Sequence, residues 1–91
     1  MVIALGGNIE LVNFDDLDPG KLVVVKKIVG TYTKKISTKA NNFKKISIEL
    51  KGKKIIGRLT LGETVNNAEA EDNNLFFALD SVLAQLEKEA K

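Results

Sequence analysis

KLVVVKKIVGTYTKKIS, residues 21–37, can be folded in two ways, and the choice decides how the rest of the chain is arranged. Val23-Val24-Val25 and Ile28-Val29 are β-branched and favour a strand, whereas Leu22, Val25, Val29, Tyr32 and Ile36 recur at the three- and four-residue steps of a helix. At about 100° per residue those five fall within a sector of roughly 80°, with Ile28 beside it and Lys27 and Lys34 roughly opposite. The spacing therefore predicts a helix with one apolar stripe and a lysine-bearing outer face. Gly30 costs it on the order of 1 kcal/mol against alanine, and Val23 stands near the exposed side. Just upstream, Asp15 to Gly20 makes a turn that feeds the helix, with Asp18 as N-cap and Pro19 at the first helical position, where its missing N–H costs nothing.

On the far side of the helix, residues 37–42 (STKANN) are turn-forming, and Ile46, Ile48 and Leu50 then alternate with Lys45, Ser47, Glu49 and Lys51, the pattern of a half-buried strand. Lys51-Gly52-Lys53-Lys54 closes a hairpin. The return strand sends Ile55, Gly57, Leu59 and Leu61 to one face and Lys54, Ile56, Arg58 and Thr60 to the other, so the open face of both strands is basic. After a second turn at Gly62-Glu63, residues 64–71 form a third strand with Ala68 and Ala70 inward, small enough to let a helix pack close. Asp72 is placed as the cap of a last helix, in which Leu75, Phe76, Leu79, Val82, Leu83 and Leu86 repeat at helical steps. At the other end of the chain, residues 2–14 mix an apolar run with the alternation Ile9-Glu10-Leu11. Gly6-Gly7-Asn8 interrupts them, which predicts one strand bent or broken at the glycines.

The order is β-α-β-β-β-α, an α+β fold with a four-stranded sheet and two helices packed on one face, in a single domain over residues 1–91. Its charge is segregated. Residues 21–58 hold twelve of the fourteen basic side chains against the one acid Glu49, so the segments before, within and after that block carry −4, +11 and −5, together the +2 of the whole chain. Such a footprint suits a phosphate-rich partner, and Lys44, Lys45, Lys54 and Arg58 are its candidates on the strands and their loops. The chain has no cysteine and no histidine, which removes disulfides and most transition-metal and nucleophilic chemistry. The opening apolar run is too short for a signal h-region or a membrane span, and a cytoplasmic protein is expected. Glu69, Glu71 and Asp72 are dense near a turn, but alternation and capping account for them, so no metal site and no cofactor is expected. Gly20-Lys21 is no phosphate loop, because Leu22 stands where Ser or Thr is needed and the upstream glycine is missing. No spacing suggests a carboxylate pair or a nucleophile with its base, and the chain is read as not an enzyme. Tyr32 and Phe43 are both read as core, Phe43 being the better stacking candidate of the two.

The end of the chain carries a family resemblance. Residues 67–86, NAEAEDNNLFFALDSVLAQL, are similar to the ribosome hibernation promoting factors, the S30AE ribosome-associated inhibitors: a strand of alternating small and acidic residues, a short polar turn, then an aromatic and Ala-Leu-Asp opening the final helix. Gly7-Asn8-Ile9-Glu10-Leu11 resembles the family's first strand and the turn before it. The resemblance implies a domain with the topology of double-stranded RNA-binding domains that docks on the small ribosomal subunit and regulates translation by contacting ribosomal RNA through basic residues on both helices. On the first helix Lys26, Lys27, Lys34 and Lys35 stand where such residues are expected, and on the last helix Lys88 does, with Gln85 in place of an expected lysine and Glu87 and Glu89 on either side of Lys88. A different class remains open beside it: a protein–protein interaction module on the same fold, in which the open sheet face or the cationic surface meets an acidic partner or a second copy. The expected state is a monomer or a weak dimer, away from membranes.

Overall fold

A computed structural model describes residues 2–5, 8–15 and 17–90. Residues 21–37 are helical, as their spacing requires. The helix α1 spans Pro19–Lys39, with Asp18 at its N-cap and Pro19 in its first turn. Val25, Val29 and Ile36 are fully buried, and Thr33 joins them on the inward face. Tyr32, expected in the buried stripe, is half-buried, because it lies at the flank of that face. The helix also runs two residues past Ser37, into the segment read as a turn. The Ser37 and Thr38 hydroxyls both donate back to the Lys34 carbonyl, which lets these turn-prone residues stay helical.

The sheet has five strands rather than four, in the order β1-β2-β3-β4-β5. The first predicted strand is broken into β1 (Val2–Ala4) and β2 (Ile9–Val12). The chain reverses between them, so that β1 folds back antiparallel on β2 and becomes the sheet edge, with Ile3 opposite Leu11. Gly6 and Gly7, where the break was expected, and Asp16 of the following turn lie outside the described residues. β2 runs parallel to β3 (Phe43–Lys51), and α1 is the crossover between them. β3, β4 (Lys54–Leu61) and β5 (Thr64–Glu71) form an antiparallel meander. Its two hairpins turn on two residues each, and Gly52 and Gly62 take φ near +60° at the first of them, the pattern of type II′ turns.

α2 spans Leu75–Glu89. It begins later than an Asp72 cap would place it, because two side chains share the work. Asp72 accepts from the Asn74 N–H and bends the chain, and Asn74 is the N-cap, accepting from the Phe76 N–H at 2.9 Å. Leu79, Val82, Leu83 and Leu86 are fully buried. They close on Ile46, Ile48, Ile55 and Leu59 of the sheet, which the alternation had placed inward. Gly57 and Ala68 are register partners on β4 and β5, and they make the trough into which α2 settles. A Cβ at Gly57 would lie 2.5 Å from Val82 Cγ1 and 2.8 Å from Leu86 Cδ1. Both helices thus cover one face of the sheet, and the other face is bare. Among the described residues no helix is long and apolar enough to cross a membrane.

Candidate nucleic-acid interface

Two contacts fix how the helices lie. The Tyr32 hydroxyl donates to Asp80 Oδ1 at 2.7 Å, and Lys39 Nζ donates to Glu87 Oε2 at 2.7 Å. The second contact lies seven residues beyond the first on both helices, so α1 and α2 run parallel, side by side. Lys35 Nζ stands 5.1 Å from the centre of the Tyr32 ring, within cation–π range. The seam changes its own titration. The hydrogen bond to Asp80, helped by partial burial and by the negative charges of Asp80 and Glu87, pushes the Tyr32 phenol up to about 12. The hydrogen bond from Lys39 holds the Glu87 carboxyl below its ordinary value.

This seam bears on the acids of the last helix. Asp80 and Glu87 lie on the α1 side of α2, where Asp80 accepts from Tyr32 and Glu87 pairs with Lys39, and Asp80 stays exposed at the solvent edge of the seam. On the solvent face of the helix layer Lys27 and Lys34 point away from the buried stripe of α1, Lys35 lies over Tyr32, and Lys88, one residue beyond Glu87, points outward from α2. Among the described residues, Lys27, Lys34 and Lys88 form no ion pair. Lys26 is about 100° around the helix from Val25 on the flank away from α2, half-buried, and is not part of this face.

The remaining sequence candidates lie elsewhere. Lys45 and Arg58 are on the bare face of the sheet, Lys54 shares the strand face of Arg58, and Lys44 is the exposed extra residue of a register shift between Phe43 and Lys45. Lys45 pairs with Glu10 at 3.0 Å, Ser47 Oγ also donates to Glu10, and Lys54 pairs with Glu69 at 3.3 Å. These pairs are exposed, and each is worth at most about 1 kcal/mol, yet they neutralise the sheet face locally. The structure therefore splits the nine basic candidates between opposite faces. Phe43 packs against the core, as read. Among the described residues no group of three acids is placed to share a metal ion. Glu69 is occupied by Lys54, and Asp72 by its turn.

Two residues of the helix layer were not singled out from sequence. Lys39 falls in the segment whose composition favours a turn, although it stands four residues after Lys35 and seven after Tyr32, the steps that put it on the seam. Phe77 lies off the apolar stripe of α2. An aromatic out of phase with its helix's apolar period is itself a surface signal, and Phe77 is 67% exposed.

A mixed sheet with two parallel helices on one face and the other face bare is a two-layer α+β architecture. Among solved structures, the chain is similar to a ribosomal subunit interface protein from Coxiella burnetii, with a TM-score of 0.57 and 17% identity over 91% of this chain and 90% of that one. A Protein Y N-terminal domain from Thermus thermophilus is also similar, at 25% identity over 71% of this chain and 80% of that one, with a TM-score of 0.44. The first likeness shows that the two chains share a fold, which is the fold that the sequence resemblance implied. No protein-family model matches the chain, and no curated protein matches it significantly in sequence.

Proposed function

We propose that this chain is a non-enzymatic RNA-binding regulator of translation that docks on the small ribosomal subunit through its helix layer. The observation that carries the reading is the seam. By pairing Glu87 with Lys39 and holding Asp80 against the Tyr32 hydroxyl at its edge, it keeps these acids beside Lys27, Lys34, Lys35 and Lys88 rather than among them, on a face built on the fold of a ribosomal subunit interface protein. Lysines in such an array meet RNA as point charges on its phosphates, and A-form RNA is recognised largely through backbone and shape. Lys44, Lys45, Lys54 and Arg58 serve as outlying anchors where the RNA reaches around the domain. Lys26 contributes from the flank.

The test is co-sedimentation of the purified protein with small ribosomal subunits from its own source, beside a variant carrying Lys27→Glu and Lys34→Glu. Saturable binding at low salt that the variant weakens at least tenfold is the expected result. A folded protein that fails to bind at low salt would sink the reading and leave the interaction module, for which salt-dependent self-association would be the sign.

A further inference from the structure

Between the helices, on the solvent side of the seam, lies an open groove of about 340 Å³ lined by Val24, Lys27, Ile28, Thr31, Tyr32 and Asp80. Its floor and one wall are apolar, and Val24 is 43% exposed there. Phe77 precedes Asp80 by three residues, so it stands on the same flank of α2 about one turn earlier, and about 60° nearer the solvent. It is the most exposed large apolar side chain among the described residues. A large exposed aromatic beside an apolar groove marks a contact site.

We propose that this groove seats one unpaired nucleotide of RNA, with its base over Val24 and Ile28 and reaching toward Phe77 on the adjoining turn of α2, and its phosphate at Lys27. The inference rests on the RNA-binding reading above and adds what kind of RNA the helix layer takes. Charge and size choose the occupant. The rim next to the apolar wall is cationic, with Lys27 in the groove and Lys34 two turns further along α1, a spacing that a phosphate backbone following the helix can use. The volume is at the small end of ligand pockets, suited to a single ring system rather than to a docked helix. Asp80 adds an acceptor for a base amino group, since a carboxylate offers about four acceptor positions and the Tyr32 hydroxyl takes one of them. A base locked in a duplex cannot enter, so the groove selects single-stranded or looped RNA.

The chain has no tryptophan, so Phe77→Trp places one fluorophore beside the groove. The variant is titrated with a ten-nucleotide oligoadenylate and with an RNA duplex of the same length, and binding of each RNA is followed independently by anisotropy of an end label. Saturable quenching by the single strand alone is expected. In parallel, Phe77→Ala should weaken single-strand binding about ten- to a hundredfold and leave duplex binding unchanged. Single-strand binding that Lys27→Glu with Lys34→Glu weakens, but that neither quenches the introduced indole nor responds to Phe77→Ala, would overturn the groove while leaving the RNA-binding function standing. Emission that changes with protein concentration in the absence of RNA would overturn it in favour of contact between copies. Failure to bind either RNA or ribosomal subunits would remove the function on which the groove depends.

Discussion

Gly57 is where α2 and the sheet come closest, and the cost of adding one methyl group there is set by what it would strike. Val82 Cγ1 and Leu86 Cδ1 both lie inside contact distance of a Cβ, and both belong to fully buried side chains with packed neighbours. Gly57→Ala should therefore destabilise the protein by about 1–3 kcal/mol, the usual cost of overpacking, read as a lower midpoint in urea with an unchanged slope. Thr33 presents the opposite case. Its side chain is buried, and its hydroxyl finds no hydrogen-bond partner among the described residues. Replacing it with the isosteric Thr33→Val removes that unpaired group and should raise stability by about 1–2 kcal/mol in the same urea titration. Neither residue was fully legible in the sequence. Gly57 was placed inward by alternation, but the closeness of α2 depends on a partner twenty-five residues away. Thr33 sits four residues after Val29, at an inward step, yet its hydroxyl hid it among the polar positions.

The element that does most to define the candidate interface is the seam between α1 and α2, and its chemistry can be followed directly. Tyr32 is the chain's one tyrosine, so an ultraviolet titration of tyrosinate reports this phenol alone. Its midpoint should lie near 12 rather than the ordinary 10.0, and Asp80→Asn, which removes the charge and weakens the acceptor, should bring it back toward 10. The stability that follows has a definite sign. A proton held more tightly in the folded state than in the unfolded one contributes fully below about pH 10 and is lost as pH rises toward 12. Tyr32→Phe should lack that loss when the two proteins are compared in denaturant across the same window. Glu87 acts in the other direction, its contribution being present above the ordinary carboxylate range and lost as pH falls through its lowered value. Water screens this exposed group, and its effect is small. Both helices were visible in the sequence from their apolar period. The seam was not, because its partners are forty-eight residues apart and meet only once each stripe has found the same sheet.

At the scale of the molecule, the fold was more legible than the site. The alternation of β3 and β4 placed Ile46, Ile48, Ile55 and Leu59 on the buried face, and the structure finds them there. What alternation could not tell is that β1 would lie antiparallel on β2 as a fifth strand. Segregated charge was plain in the sequence, but which lysines share a face depended on the layers. With Lys27, Lys34, Lys35 and Lys88 on one side and Lys45, Lys54 and Arg58 on the other, the sedimentation experiment carries a salt response. Each phosphate contact steepens the fall of log affinity with log salt by about 0.7–0.9, so the Lys27→Glu, Lys34→Glu variant should have a slope shallower by about 1.4–1.8. The parallel run of the helices has a further consequence for this field. Each helix carries a backbone macrodipole worth about half a positive charge at its start and half a negative charge at its end, and in parallel helices these poles align. The positive poles gather at the end of the layer where Lys21 and Phe77 lie. The negative poles gather at the other end, where Lys39 and Lys88 occupy the last turns. The backbone thus offsets the lysines at one end and reinforces those at the other, tilting the molecule's attraction for anions toward the mouth of the groove.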